Sequence, residues 1–321
     1  MRPGWLVTLG LAAATSLASA QEYPVKPIRM IVPWTVGGGA DAVARVIGAK
    51  LSDAWGQPIV IDNKPGATGT IGTDIVAKAS PDGYTLILGN NSTYVYAVSL
   101  YNKLPYDPEK DLTPISRVAE VPHVLSVHPS VPAKTVAELV ALAKAQPGML
   151  SYGSSGTGST PHVAGEVFMS LTGTKFLHVP YKGAGQSVAD TVSGQVQVSF
   201  DTLPSVIAFI NAGRLRPLAV MGPQRIASLP NLPTTAEAGV PGAEGSTWYG
   251  LYGPANMPPA VVKKIHDEVA RIVKSPDVKA KFDTLGAIET ASLPSAELAS
   301  SVKIDIVKYG KILSSIGVQK E

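Results

Sequence analysis

A short apolar run, a glycine-rich turn and an amphipathic stretch follow one another twice along this chain, and few architectures accommodate that repeat. In the first occurrence Ile28-Arg29-Met30-Ile31-Val32 reads as a buried strand, and residues 33–40 carry three consecutive glycines. A helix follows from Asp41 to Leu51, with Val43, Ile47 and Leu51 on one face. In the second, Leu150-Ser151-Tyr152 leads through Gly153-Ser154-Ser155-Gly156-Thr157-Gly158 into a helix from about Val163 to Thr172. Further strands are expected at 59–61, 85–88, 124–127, 176–179, 196–200 and 218–221, and further helices at 71–79 and 136–145. The spans 102–114 and 229–245 read as loops, the latter rich in Pro, Gly and Thr. Alternating strands and helices argue for βα units on mainly parallel sheets flanked by helices. Two halves of like design predict an α/β protein of two lobes facing a cleft. The expected lobes are 21–123 with 246–321, and 124–245. The two helices expected at 260–273 and 295–314 have no strands beside them and should pack back on the first lobe.

Residues 1–20 read as an export signal: Arg2, an apolar run from Leu6 to Leu17, then Ala18-Ser19-Ala20, with cleavage expected after Ala20. The apolar run is short for a bilayer span. The chain has no cysteine, so stability outside the cytoplasm must come from buried cores; 321 residues suffice for two. Without the signal, 26 basic side chains face 24 acidic ones, a formal charge of +2. No dense basic run with interleaved aromatics occurs, which argues against nucleic-acid binding.

Glycines let a backbone approach a ligand, and the helix start behind them offers unpaired N–H groups and a positive dipole end. Each loop therefore suits an anion. A single loop reads equally well as a tight turn; two at matching places favour one shared anion site. The donors of the second loop include Ser154, Ser155, Thr157, Ser159 and Thr160. A competing pattern exists. Gly37-x-Gly39-x-x-Ala42 after a strand, with Asp62 ending the next, matches a dinucleotide fingerprint and would make the chain an exported NAD-type oxidoreductase. The export signal, the turn-like setting of Asp62 and the idle second loop oppose it. Neither loop carries a Walker lysine, no G-x-S-x-G elbow occurs, and the five histidines lack metal-ligand spacing. The expectation is a binding protein rather than an enzyme, without metal or cofactor. His162 reads equally as a carboxylate partner or a local cap, and Asp201 as a hydrogen-bond acceptor in the cleft or a turn residue.

The segment Val32-Pro33-Trp34-Thr35-Val36-Gly37-Gly38-Gly39-Ala40-Asp41 resembles the first loop of the receptors of tripartite tricarboxylate transporters, the Bug proteins. Asn63-Lys64-Pro65-Gly66-Ala67, Pro81-Asp82-Gly83-Tyr84, Tyr152 to Gly158, Val179-Pro180-Tyr181-Lys182-Gly183, Leu232 to Gly239 and Trp248-Tyr249-Gly250 continue the resemblance in order. It implies a Venus-flytrap periplasmic binding protein that captures a small carboxylate and passes it to membrane-embedded transporter subunits. A monomer is expected. It also implies that Thr35, Gly37, Gly38, Asp41, Ser154, Ser155, Gly156, Thr157, Gly158, Ser159, Thr160 and Asp201 hold the ligand. Asn91 and Tyr181, in or beside matching segments, join the expected set with His162. Where the family commonly has Asn-Pro this chain has Ala97-Val98, and Trp34 stands where Phe is more usual. Trp34 and Tyr96 are expected to face the pocket, with Tyr94, Trp248, Tyr249 and Tyr252 nearby, which would favour an aromatic acid over citrate.

Overall fold

The computed structural model describes residues 23–286, 288–289 and 295–315; the expected export signal and its cleavage point lie outside them. The first repeat folds as β1 (Ile28–Val32), α1 (Gly39–Trp55), β2 (Ile59–Asn63), α2 (Thr70–Ala77) and β3 (Thr85–Asn90). β1 lies between β2 and β3, parallel to both. Val43, Ile47 and Leu51 of α1 are fully buried, four residues apart as a helix face requires, each burial stabilising by roughly 1.5–3 kcal/mol. The helix stops where Gly56 takes a left-handed φ of 62°. A π-helical turn at Ser92–Tyr96 and the short α3 (Ala97–Leu100) follow.

The second repeat comprises α4 (Val136–Ala145), β5 (Ser151–Ser154), α5 (Thr160–Thr172), β6 (Leu177–Pro180), α6 (Ala184–Ser193), β7 (Val198–Thr202), α7 (Leu203–Asn211) and β8 (Arg216–Val220). β5 pairs in parallel with β6 and β7. Between the repeats runs one long strand, Leu112–Val127, and a second crossing strand, Ser246–Pro254, returns beside it. These two strands are β4 and β9. The chain closes with α8 (Pro259–Val273), α9 (Pro276–Leu285), β10 (Ile288–Glu289) and α10 (Ser295–Ser315).

The strand order is β2-β1-β3-β9-β4-β7-β5-β6, with β8 and β10 attached to β4. The βα units thus supply the parallel pairs, and the crossing strands add antiparallel ones: β9 to β3 and β4, and β4 to β7, β8 and β10. β4 pairs with β9 from Leu112 to Pro122, then with β7 and β8 from His123 and Val124 onward. It changes partners at Pro122, which has no N–H to donate.

Residues 112–114, expected in a loop, already belong to β4, and the strand expected at 124–127 is only its end. Pro114, Arg117, Glu120 and Pro122 interrupt the apolar run that would have marked it. α8 packs on α1 and β4; α10 packs on α3, the 92–96 turn and β4. One apolar cluster joins Ile28, Val43 and Ile265 with Val188, Leu203 and Val206 of α6 and α7, while another lies wholly within 125–243.

Candidate functional site

Four helices begin around one small cavity. Its wall takes Gly38, Gly39 and Ala40 from the start of α1, Ser159, Thr160 and Pro161 from α5, Ala184 from α6, and Thr202 and Ser205 from α7. Each start presents free N–H groups and the positive end of a dipole, so four weak attractions for an anion add at one point. The cavity holds about 40 Å³, room for a few waters or one carboxylate group.

Loop geometry puts α1 there. Gly37 adopts a left-handed φ of 86°, and its N–H donates to Asp41 Oδ2 at 3.1 Å. Asp41 Oδ1 accepts from Asn63 Nδ2 at 3.2 Å, and the same amide donates to the Trp34 carbonyl at 3.0 Å. Burial works to raise the Asp41 pKa, but the hydrogen bonds from Arg45, Gly37 and Asn63 together hold it below the usual carboxylate value. Gly39 lies so close to the Tyr249 hydroxyl, and 3.1 Å from Thr202 Oγ1 at its would-be Cβ, that no side chain fits.

Three buried polar atoms of residues lining this cavity lack a protein partner: Trp34 Nε1, Ser159 Oγ and Asp201 Oδ2. An unpartnered buried polar group costs about 1–3 kcal/mol, so the site is built for something polar. Asp201 Oδ1 accepts the Thr202 N–H at 2.8 Å. Asp201 is 2% exposed, and burial pushes its pKa up to about 6 against the opposing hydrogen bonds of Thr202 and Ser205. Thr35, Ser155, Thr247 and Tyr249 add further hydroxyls. Among the described residues no lysine or arginine lines this cavity.

A second cavity of about 170 Å³ shares Trp34 and Ser155 with the first and continues past Gly66, Ala67, Thr68, Tyr101, Gly156, Thr157, Tyr181 and Lys182. Thr68 Oγ1 donates to the Thr157 carbonyl at 2.7 Å across it. Tyr181 donates to Asp190 at 2.7 Å; burial, with Asp190, raises its pKa to about 12.

Of the residues singled out from sequence, Trp34, Thr35, Gly38, Ser155, Ser159, Thr160 and Asp201 line the first cavity. Gly156, Thr157 and Tyr181 line the second. The others stand behind the walls. Gly37 and Asp41 shape the first loop. Ser154 Oγ is bonded to His178 Nε2 at 2.7 Å and to Gly156. His162 Nδ1 accepts the Gly158 N–H at 3.0 Å, and the ring stacks on His178. Burial, then His178, pulls the His162 pKa down to about 3, so this neutral ring is a loop support.

Asn91 and Tyr96 correct the expectation most clearly. Asn91 donates to Tyr96 Oη and to the Ser246 carbonyl, both at 3.0 Å. The Tyr96 ring packs on Tyr309 with centroids 4.8 Å apart, inside a core cluster. Tyr94 stacks on Tyr252 at 4.0 Å and Trp248 at 5.8 Å in that cluster. Of the aromatics expected near the pocket, only Trp34 and Tyr249 line the first cavity. Sequence reasoning missed Thr202, Ser205, Thr247, Ala184 and Lys182. Thr202-Leu203-Pro204 is a helix-start pattern, hydroxyl residue then early proline, that marks α7; no comparable local sign marks Thr247.

The sequence profile of the tripartite tricarboxylate transporter family receptors (TctC) matches residues 43–318. The chain belongs to that family. Among TctC relatives it is 36% identical over 291 residues to BugT of Bordetella pertussis, covering 90% of this chain and 88% of that one. Its fold is that of two-lobed α/β periplasmic binding proteins. It is similar to R. palustris Rpa4515, solved with adipate (TM-score 0.91, 36% identity, 94% of this chain and 100% of that one). It is also similar to MatC of Rhodopseudomonas palustris, solved with malate (TM-score 0.85, 31% identity, 91% and 100%). Against the dinucleotide reading, the Asp62 carboxylate is held by Arg29, at 2.6 and 2.9 Å, and by Lys64 at 3.3 Å. The TctC family is one of solute receptors, and the anion-shaped cavity suits that role.

Proposed function

We propose that this chain is a periplasmic receptor without turnover that captures a small dicarboxylate between its lobes and delivers it, as a monomer, to membrane-embedded transporter subunits. The observation that carries this reading is the convergence of four helix starts and buried unpartnered polar atoms on one carboxylate-sized cavity. Thr35, Gly38, Ser155, Ser159 and Thr160 surround the first carboxylate, and Asp201 accepts from a ligand hydroxyl or a bridging water. The ligand chain passes Trp34 and Ser155 into the larger cavity, flanked by Gly156, Thr157 and Tyr181, where exposed Lys182 meets the second carboxylate. Adipate and malate, held by the two structural neighbours, are both dicarboxylates. With Tyr96 in the core, the case for an aromatic acid rests on Trp34 and Tyr249, and the linear dicarboxylate is preferred. The lobes are taken as 21–123 with 246–321, and 124–245, hinged where β4 and β9 cross; residues 1–20 would direct export.

Calorimetry with succinate, adipate, butyrate, benzoate and citrate tests the reading; a preference for benzoate or citrate over both linear diacids would refute it. Ser155→Asp, placing a carboxylate where the two cavities meet, should remove most binding. Lys182→Met should weaken adipate roughly two- to fivefold, the size of a solvent-exposed ion pair, and leave butyrate unchanged. An equal loss for both acids would remove Lys182 from the ligand's second carboxylate.

A further inference from the structure

His123 sits at the point where β4 changes partners, 1% exposed, and lines neither cavity. Its Nε2 lies 2.7 Å from Thr247 Oγ1 on β9, and Thr247 Oγ1 lies 2.6 Å from Thr160 Oγ1 at the start of α5. Both threonines line the carboxylate-sized cavity. The other ring nitrogen, Nδ1, has no hydrogen-bond partner and faces the bare Cα of Gly245, whose would-be Cβ lies 3.2 Å away.

Two tautomers of the ring satisfy these distances. In one, Thr160 donates to Thr247, Thr247 donates to His123 Nε2, and the ring proton sits on Nδ1 with nothing to accept it. In the other, Nε2–H donates to Thr247, one threonine hydroxyl donates to the other, and the remaining hydroxyl proton of the pair is free to point into the cavity that both line. A buried orphan N–H is the rarer defect, whereas an unpartnered ring lone pair beside a glycine Cα leaves no donor stranded. We propose that His123, as the neutral Nε2–H tautomer, is a positioning residue that keeps one hydroxyl proton of the Thr160–Thr247 pair turned toward the bound carboxylate rather than toward the ring.

Burial agrees, since it pulls the His123 pKa down to about 3 and keeps the ring neutral. The relay spans β4, β9 and α5, so each bond polarises the next and the ligand draws on a group it never touches. This deepens the carboxylate reading of the site and rests on it.

The tautomer is read in the unliganded protein by long-range ¹H–¹⁵N NMR of the histidine ring, assigned by its loss in His123→Gln. The expected result is a protonated Nε2 and a bare Nδ1, with the Nε2 signal moving on addition of succinate or adipate. Glutamine places an amide N–H near Nε2, so His123→Gln should keep binding within a few-fold of wild type. His123→Leu and Thr247→Val should each weaken it about tenfold, as for loss of one buried hydrogen bond to a charged group. A proton on Nδ1, or His123→Leu and Thr247→Val both binding as wild type, would overturn the proposal. The unliganded tautomer does not depend on which acid binds, so its failure is distinguishable from failure of the carboxylate reading.

Discussion

Replacing Gly183 by leucine is expected to leave the protein folded and to weaken ligand capture by one to two orders of magnitude. Gly183 precedes α6 with φ of 172° and ψ of 167°, extended backbone that any residue adopts, so no local strain opposes the change. The obstacle lies across the cleft. A Cβ on Gly183 would stand 2.8 Å from Thr35 Cγ2 and 3.0 Å from Thr35 Cβ, and against its hydroxyl. Thr35 belongs to the first glycine loop, Gly183 to the second half, and their approach accompanies that of Gly38 to Ala184. Leucine at 183 should hold the two sides apart and widen the cavity that Thr35 and Ala184 line. Overpacking of this kind costs about 1–3 kcal/mol, roughly 5- to 150-fold in affinity. Calorimetry with the best-binding acid measures the loss. Small-angle scattering should show wild type compacting on ligand addition and Gly183→Leu remaining extended. Wild-type affinity in the variant would mean that closure across this contact is not needed for binding.

Asp201→Asn should stabilise the unliganded protein at neutral pH. Asp201 is buried with Oδ2 unpartnered, and its pKa is raised from 3.8 to about 6. A carboxyl raised on folding contributes most below its unfolded pKa, and that contribution is lost as pH rises through the folded value. At pH 7.5 the folded protein therefore bears a buried charge costing about 3 kcal/mol, taking about 1.4 kcal/mol per pH unit. Asparagine carries no such charge. The variant should melt several degrees higher at pH 7.5, with its advantage shrinking from pH 6 downward and gone by about pH 4. Other titrating groups are common to both proteins and cancel in the difference. Equal melting temperatures from pH 4 to 8 would show that Asp201 is not buried as a charge.

The apolar periodicity of 28–51 and the glycine turns of the two repeats were enough to place α1 and α5 and the anion-suited loops before them. That holds because a buried strand and an amphipathic helix each write their period directly into neighbouring residues. Thr35, Gly38, Ser155, Ser159 and Thr160 were legible for the same reason: a helix start and its donors are local. Crossing strands were not. β4 and β9 carry prolines, charges and glycines that break any simple alternation, and the partners that make them strands lie far away in sequence.

Tertiary structure also decided direction. Asn91 and Tyr96 stand beside the third strand's end, yet the π-helical turn sends the tyrosine ring onto Tyr309 and the amide onto Ser246. Asp41 and His162, acid and base in the two glycine loops, turn inward and accept loop N–H groups. Conversely Thr247 and Ser205 reach the cavity because β9 forms part of its wall and α7 starts at it. By itself the sequence determined the family, the βα repeats and the donor-rich loops, all properties of contiguous residues. Which donors face one cavity depended on four helix starts meeting beside β9, a juxtaposition of segments as distant as Trp34 and Tyr249 that no local pattern records.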